Sequence, residues 1–380
     1  MRTHWRLDPG VTFLNHGSFG ACPAPVLARQ ADLRERMEAE PVRFFARELE
    51  PLLDSARQEV AAFVGCAPGD LAFVPNATAG VNTVLRSLRL GADDELLVTS
   101  HAYNACRNAL EHAAATAGAR VVVAPVPFPV GSPGEVETAV LDRVTPKTLL
   151  ALVDHVTSPT GLVFPVARLV DRLAERGVDA LVDGAHAPGM VPLEVGALGA
   201  AYYTGNFHKW VCAPKGAAFL HVRADRQASL RPLAISHGAN SPRTDRSRFR
   251  LEHDWTGTFD PTPYLCVPEA LRFLASLVPG GWPEVMRRNK AKAAAARDVL
   301  CRALRVAPPC PTEMLGSLAS VPLPDGPAEA LQDALFFQKR IEVPVMPWPA
   351  PPHRLIRISA QLYNSPEEYE RLAGALGALL

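Results

Sequence analysis

Between residue 71 and about residue 222, short apolar runs alternate with stretches of helical periodicity. "LAFV" (71–74), "ELLVTS" (95–100), "ARVVVAPV" (119–126), "TLLALVDH" (148–155), "DALVDGAH" (179–186), "AAYYTG" (200–205) and "GAAFLHV" (216–222) read as strands. "TAGVNTVLRSL" (78–88), "NACRNALEHAAATAG" (104–118) and "VARLVDRLAERG" (166–177) read as the helices between them. The strands lack polar alternation, so both of their faces are buried. That predicts an α/β fold with a mostly parallel sheet covered by helices on each side. Ligands of such sheets bind beyond the carboxyl ends of the strands.

The flanks differ. Upstream, a loop leads into helices over "LARQADLRERMEAE" (27–40) and "ELEPLLDSARQEVAAFVG" (48–65). Downstream, helical "PEVMRRNKAKAAAARDVLCRAL" (283–304) precedes "GSLASVPL" (316–323) and "HRLIRISA" (353–360), which suggests a small α+β C-terminal domain. Proline-rich "VPVMPWPAPPH" (343–353) is a loop or sheet edge, because proline cannot donate to a ladder. The expected division is an N-terminal segment 1–20, a large domain 21–265, and a small domain 266–380 that groups with the N-terminal segment.

Composition narrows the function classes. The chain is 48% hydrophobic and 21% charged, as a globular protein is. Lys+Arg 39 against Asp+Glu 39 leaves no net charge to recruit nucleic acid or an anionic membrane. No apolar run approaches the roughly 18–20 residues of a membrane span, and "MRTHWRLDPG" lacks a signal-peptide core. Seven cysteines, odd in number and without a CxxC pair, fit buried thiols in a cytoplasmic protein, not a disulfide framework or a metal site.

The candidate chemistry lies at strand ends. "FVPNATAG" (73–80) passes from a strand into a helix whose first amides suit a phosphate, or is a plain turn capped by Thr78. "LVDHVTSPTG" (152–161) sets Asp154, His155, Thr157 and Ser158 after a strand; "LVDGAH" (181–186) sets Asp183 at one and His186 just beyond. In "YYTGNFHKW" (202–210), Lys209 sits among Phe207, His208 and Trp210, where desolvation frees the amine for chemistry. A snorkelling surface lysine is the competing reading. An imine-forming lysine, an aspartate that keeps a pyridine nitrogen protonated and an amide-lined phosphate cradle are together the parts of a pyridoxal phosphate (PLP) site.

These stretches resemble the class V aminotransferase superfamily of fold-type I PLP enzymes, within it the isopenicillin N epimerase-like group. The resemblance runs from "FLNHGSFGACP" (13–23) through "NATAGVN" (76–82), "HVTSPTG" (155–161), "DGAHAPG" (183–189) and "EHDWTGTFDPTPY" (252–264) to "LIRISAQLYN" (355–364), nearly the whole chain. It implies that Lys209 is the Schiff-base lysine and Asp183 the partner of the pyridine nitrogen. His186 would lie near the phenolic oxygen, with Ser158 or His155 on the same edge. Ala77, Thr78, Asn206 and His208 would hold the phosphate, and Tyr103, or alternatively His101, would stack on the ring. Arg357 would grip the substrate α-carboxylate. Thr256, Gly257 and Thr258 would reach the phosphate of a second subunit, making a homodimer with shared active sites. The N-terminal stretch "NHGSFG" (15–20), with Asn15 and His16, and the stretch "VRFFARE" (42–48), with Arg43, Phe44, Phe45 and Arg47, would line the substrate pocket; a plain amphipathic helix start is the alternative for 42–48.

The resemblance also bears on the reaction. Cysteine desulfurases of the superfamily need a nucleophilic cysteine shortly before the carboxylate-binding arginine, and 311–356 contains none. What is implied is an enzyme acting at the Cα of an amino acid through an imine and a carbanion. Epimerisation is the leading outcome, with carbon–sulfur lyase chemistry or transamination as alternatives. The second acid/base of an epimerase is not identified by the pattern, with His16 and Tyr103 as candidates. A PLP-fold binding or regulatory protein is the non-enzymatic alternative, disfavoured by an intact Lys209, Asp183 and Arg357.

Overall fold

The computed structural model describes residues 1–380. Twelve strands follow in chain order: β1 (Thr12–Phe13), β2 (Leu71–Val74), β3 (Glu95–Thr99), β4 (Arg120–Ala124), β5 (Thr148–Asp154), β6 (Asp179–Asp183), β7 (Tyr202–Asn206), β8 (Ala218–Val222), β9 (Leu318–Leu323), β10 (Ile341–Glu342), β11 (Val345–Pro347) and β12 (Arg354–Ser359). Seven form one sheet in the order β2-β8-β7-β6-β5-β3-β4. All its pairings are parallel except those of β8, which runs against both β2 and β7. A second sheet, β11-β12-β9, is antiparallel.

The uniformly apolar strands are buried on both faces. On β5, Leu150 and Leu152 enter one core while Ala151 and Val153 enter the other; on β6, Leu181 opposes Ala180 and Val182 in the same way. This period of two divides the apolar payload between two helical layers. Each fully buried Val or Leu contributes on the order of 1.5–3 kcal/mol relative to exposure. Helices Ala77–Ser87 and Asn104–Ala117 cover one face, and Leu49–Val64 and Val166–Ala174 pack on the other.

Most predicted elements stand within a few residues of their expected ends. β7 runs on through Asn206, which pairs with Ala218. Residues 343–353 contain β11 at a sheet edge, with Pro347 at its last position. Several helices escaped the periodicity reading, among them Pro133–Leu141, hidden in a proline-rich stretch, Val267–Ser276, Ala328–Lys339 and the single turn His16–Phe19. The terminal helix Pro366–Leu379 opens with a capping box between Ser365 and Glu368. The parallel pairing of β1 with β10 ties the N-terminal segment to the C-terminal part of the chain. No helix is long and apolar enough to cross a membrane, and all seven cysteines are unpaired.

Candidate active site

The sheet order places four chemistry-bearing segments side by side at its carboxyl edge. Lys209 follows β7, Asp183 and His186 follow or end β6, Asp154 ends β5 with Ser158 just beyond, and Tyr103 follows β3. The order reverses between β3 and β5, the place where open α/β sheets form a crevice. A cavity of about 240 Å³ opens there, lined by Asn76, Ala77, Thr78, Tyr103, Asp154, Ser158, Asp183, His186, Asn206, His208 and Lys209, with Phe19 at its rim. The sheet therefore brings together the predicted lysine, aspartate, histidines, serine, tyrosine and phosphate-binding turn.

Lys209 lies on the connection from β7 to β8. Because β8 is antiparallel to β7, this connection is a tight return loop instead of a crossover helix. Its amine is surrounded by protein and open only to the cavity. Burial, and secondarily the charge of Arg357, lowers its pKa from 10.5 to about 7, against the opposing pull of Asp183. Nζ lies 3.1 Å from His186 Nε2. Trp210 Nε1 donates to His186 Nδ1 at 3.4 Å, so the proton of the neutral ring belongs on Nε2, where it faces the amine. Burial first, then the charges of Lys209 and Arg357, hold His186 well below its ordinary pKa. With its pKa near 7, about half of the amine is unprotonated at neutrality, and it faces an uncharged imidazole.

The N-terminal segment supports this loop. His16 lies beneath the Trp210 ring, with Nδ1 2.8 Å from the Tyr363 hydroxyl and Nε2 2.9 Å from the Lys209 carbonyl. Burial takes its pKa to about 3. Both ring nitrogens are engaged, so His16 holds the lysine backbone and is not placed as an acid or substrate contact. Gly20 takes φ +70°, and a Cβ there would fall 2.0 Å from the His208 carbonyl oxygen. Only glycine lets the two segments approach so closely.

Asp183 is 3% exposed; its Oδ1 accepts from the Ala185 amide at 2.9 Å and its Oδ2 from the Cys106 thiol at 3.1 Å. At the phosphate-type turn, Asn206 Oδ1 already accepts from the Ala77 amide at 2.9 Å, so Ala77 is not a free donor. Asn206 anchors the helix start, and Thr78 is left to present its amide and hydroxyl to the cavity. That helix packs hard on β7: a Cβ at Gly80 would meet Thr204 Oγ1 at 2.3 Å. His208 Nδ1 lies 3.3 Å from the Ala217 carbonyl oxygen, and burial lowers its pKa to about 4.

Arg357 is 4% exposed and lies behind Ser158 and Ser18. Nη1 donates to the Ser158 carbonyl at 2.5 Å and hydroxyl at 3.1 Å, and Nη2 to Ser18 Oγ at 3.2 Å. Nε has no partner. A buried guanidinium with an unused Nε–H is half of a bidentate fork for a carboxylate. Ser18 donates in turn to Asn15 Oδ1 at 2.5 Å, and Asn15 donates to Glu342 at 2.9 Å, so Asn15 supports the arginine's partner instead of lining the cavity.

Other expected residues lie elsewhere. His101 is buried outside the cavity, 2.7 Å from Thr160 Oγ1 and 3.1 Å from the Val126 carbonyl, with its ring against Trp348; Tyr103 alone lines the site. His155 lies 2.8 Å from the Tyr203 hydroxyl and also faces away. Thr256 borders a separate cavity of about 360 Å³ with Arg57, Ala79, Thr83 and Tyr264, and Gly257 has open space around it. Within 42–48, Phe44 is buried, Phe45 packs on Trp255, and Arg43 pairs with Glu40 and Glu48. None of these residues borders the lysine cavity in its own chain. Cys106 carried no role in the sequence reading, since a thiol on a helix announces no partner until the chain folds; within "NHGSFG", Phe19 borders the cavity and Ser18 meets Arg357.

The amine, the strand-end carboxylate with two donors, the unfilled helix start and the half-used arginine suit PLP: they define a fold-type I PLP site. The aminotransferase class-V family profile matches residues 20–372. Isopenicillin N epimerase of Amycolatopsis lactamdurans is 40% identical over 98% of this chain and 96% of its own length. A probable chloroplastic L-cysteine desulfhydrase of Arabidopsis thaliana is 31% identical over 98% of this chain and 84% of its own. Among solved structures, a mutant of the cystine C–S lyase C-DES with glycine linked to its PLP cofactor superposes with TM-score 0.82 at 22% identity, covering 99% of both chains. A cysteine desulfurase from Escherichia coli gives TM-score 0.81 at 19% identity over 99% of this chain and 96% of that one. The chain belongs to the class V aminotransferase family and is a PLP-dependent enzyme of it.

Proposed function

We propose that the enzyme epimerises the Cα of an amino acid that carries a bulky, polar side chain. The observation that carries this reading is the buried Lys209 amine, its pKa lowered to about 7, beside His186 in one cavity with Asp183 and Tyr103. Bound PLP supplies an electron sink that makes the substrate Cα proton acidic. Lys209 Nζ would hold the cofactor aldehyde and, once the substrate amine displaces it, would be free to take or return the Cα proton on its side, for which an amine with a pKa near 7 is suited. Asp183 would keep the ring nitrogen protonated, His186 and Ser158 would serve the phenolic oxygen, and Thr78, Asn206 and His208 would hold the phosphate. Arg357 binds the α-carboxylate through its free Nε–H and fixes the Cα relative to Lys209.

Epimerisation needs a second proton carrier. Lys209 follows β7 and Tyr103 follows β3, with β6 and β5 between them. At about 4.8 Å per strand the two stand at opposite ends of the row. Tyr103 is half-exposed at the cavity and is assigned the far face; His16 is excluded by its two engaged nitrogens. The likeness to isopenicillin N epimerase supports this outcome over elimination.

A homodimer completes the reading. The Thr256–Thr258 loop, remote from its own Lys209, supplies donors to the partner's phosphate. The β1–β10 pairing supports grouping residues 1–20 with 266–380, apart from a large domain over 21–265. Seven unpaired thiols suit a reducing, cytoplasmic setting. The deciding experiment is incubation of the holoenzyme in D₂O with L- and D-amino acids bearing a distal carboxylate. Chiral chromatography should show the opposite enantiomer with deuterium at Cα. Pyruvate and ammonia together with the released thiol from cysteine conjugates (sulfide from cysteine itself), without inversion, would assign the lyase reaction instead.

A further inference from the structure

Asp154 and Asp183 are direct neighbours. They end adjacent parallel strands, are paired in register, border the same cavity, and are each 3% exposed. Their surroundings differ. Asp183 accepts from the Ala185 amide and the Cys106 thiol, whereas Asp154 Oδ2 is buried with no partner. Two carboxylates this close and this buried resist double ionisation, and donors aimed at one of them favour its charged form. We propose that Asp154 is a positioning residue that keeps its proton in the folded chain, so that the two strand ends carry one negative charge and Asp183 holds it.

Asp154 has donors of its own, the Tyr103 amide and the Thr99 hydroxyl, which favour its charged form, but burial and the Asp183 charge outweigh them. Asp183 faces it from β6, the Cys106 thiol and the Tyr103 amide from the 104–117 helix and its start, and the Thr99 hydroxyl from β3. Lys209 and His186 border the same cavity, and the Asp183 carboxylate pulls the Lys209 pKa upward. No cation pairs with Asp154. Burial first, and the Asp183 charge second, raise its pKa well above the ordinary carboxylate value. Two negative charges would over-neutralise a single protonated ring nitrogen; one matches it. The use made of that charge rests on the proposed PLP function, while the proton on Asp154 does not.

The test compares the unfolding of the full chain, with and without added PLP, for wild type, Asp154→Asn and Asp154→Ser across about pH 4 to 8. A group whose folded pKa is raised stabilises the fold below its unfolded pKa and loses that contribution as pH rises. The folding constant of either variant should therefore gain on wild type as pH rises above about 4, by up to tenfold per pH unit, until Asp154 ionises. In an Asp183→Asn background the like charge is gone, and the gain from Asp154→Asn should shrink at least threefold. A ratio flat with pH in both variants, or a gain unchanged by Asp183→Asn, would overturn the shared-charge assignment. Asp154→Ser keeps the test open if the amide variant fails to fold. Cofactor absorbance in the same samples separates the two ideas. The pH signature without PLP binding would refute the proposed function and leave this inference standing; PLP binding without the signature would do the reverse.

Discussion

Lys209→Met in cofactor-free protein should make the fold more stable while abolishing function. The amine's pKa falls from 10.5 to about 7 on folding, a difference of about 3.5 units. At about 1.36 kcal/mol per unit this is nominally ~5 kcal/mol of penalty. The amine borders a water-accessible cavity, and screening there reduces the figure to about 2–3 kcal/mol. Methionine keeps an unbranched stem and has no charge to desolvate. It also forfeits the 3.1 Å contact with His186, at a cost of about 0.5–1.5 kcal/mol. The net expectation is stabilisation of about 1–2 kcal/mol at pH 7. Between pH 7 and 10.5 the unfolded lysine holds a proton that the folded one has released, so wild-type stability rises with pH across that window. The advantage of methionine should therefore be largest at or below pH 7 and fade toward pH 10. Urea unfolding of the stripped protein from about pH 6.5 to about pH 10 measures this directly. A methionine variant less stable than wild type at pH 7, or an advantage that grows with pH, would refute the account of a desolvated amine with a lowered pKa.

Three further outcomes are expected. Asp183→Asn should lower turnover by about 10²–10³-fold, because the ring nitrogen's charge matters most when negative charge develops at Cα, while PLP still binds through its phosphate; near-wild-type turnover would remove Asp183 from that role. Arg357→Ala should weaken amino-acid binding by about 1.5–3 kcal/mol and leave simple amines unaffected, as read by competition through the cofactor's absorbance. Mixing Lys209→Ala with a Gly257→Val chain should restore part of the activity in hybrid dimers; no recovery after verified subunit exchange would count against shared sites.

Much of the fold was legible in the chain, because apolar runs of strand length and helical periodicity are local properties. The runs at 71–74, 95–100, 148–155 and 179–186 match β2, β3, β5 and β6 within a few residues. Lys209, Asp183 and the turn at Ala77 and Thr78 could also be picked out, since each directly follows or ends such a run and strand ends face the crevice. Motif resemblance supplied the family, which the profile over residues 20–372 bears out.

Tertiary structure decided the rest, for the reason that a side chain's partners are set by packing across long separations. Nothing local distinguishes His101 from Tyr103, yet one bonds to Thr160 deep in the core and the other borders the cavity. The spacing of "NHGSFG" does not tell that His16 holds the Lys209 carbonyl and that Ser18 meets Arg357, partners 193 and 339 residues away. The direction of β8 makes the lysine segment a return loop, and an apolar run carries no direction. Cys106 and Asp154 show the limit most clearly. A thiol on a helix and a carboxylate at a strand end acquire their meaning only when the sheet sets them, buried, beside Asp183. Sequence determined which residues could carry the chemistry; the order of strands in the sheet determined which of them share one site.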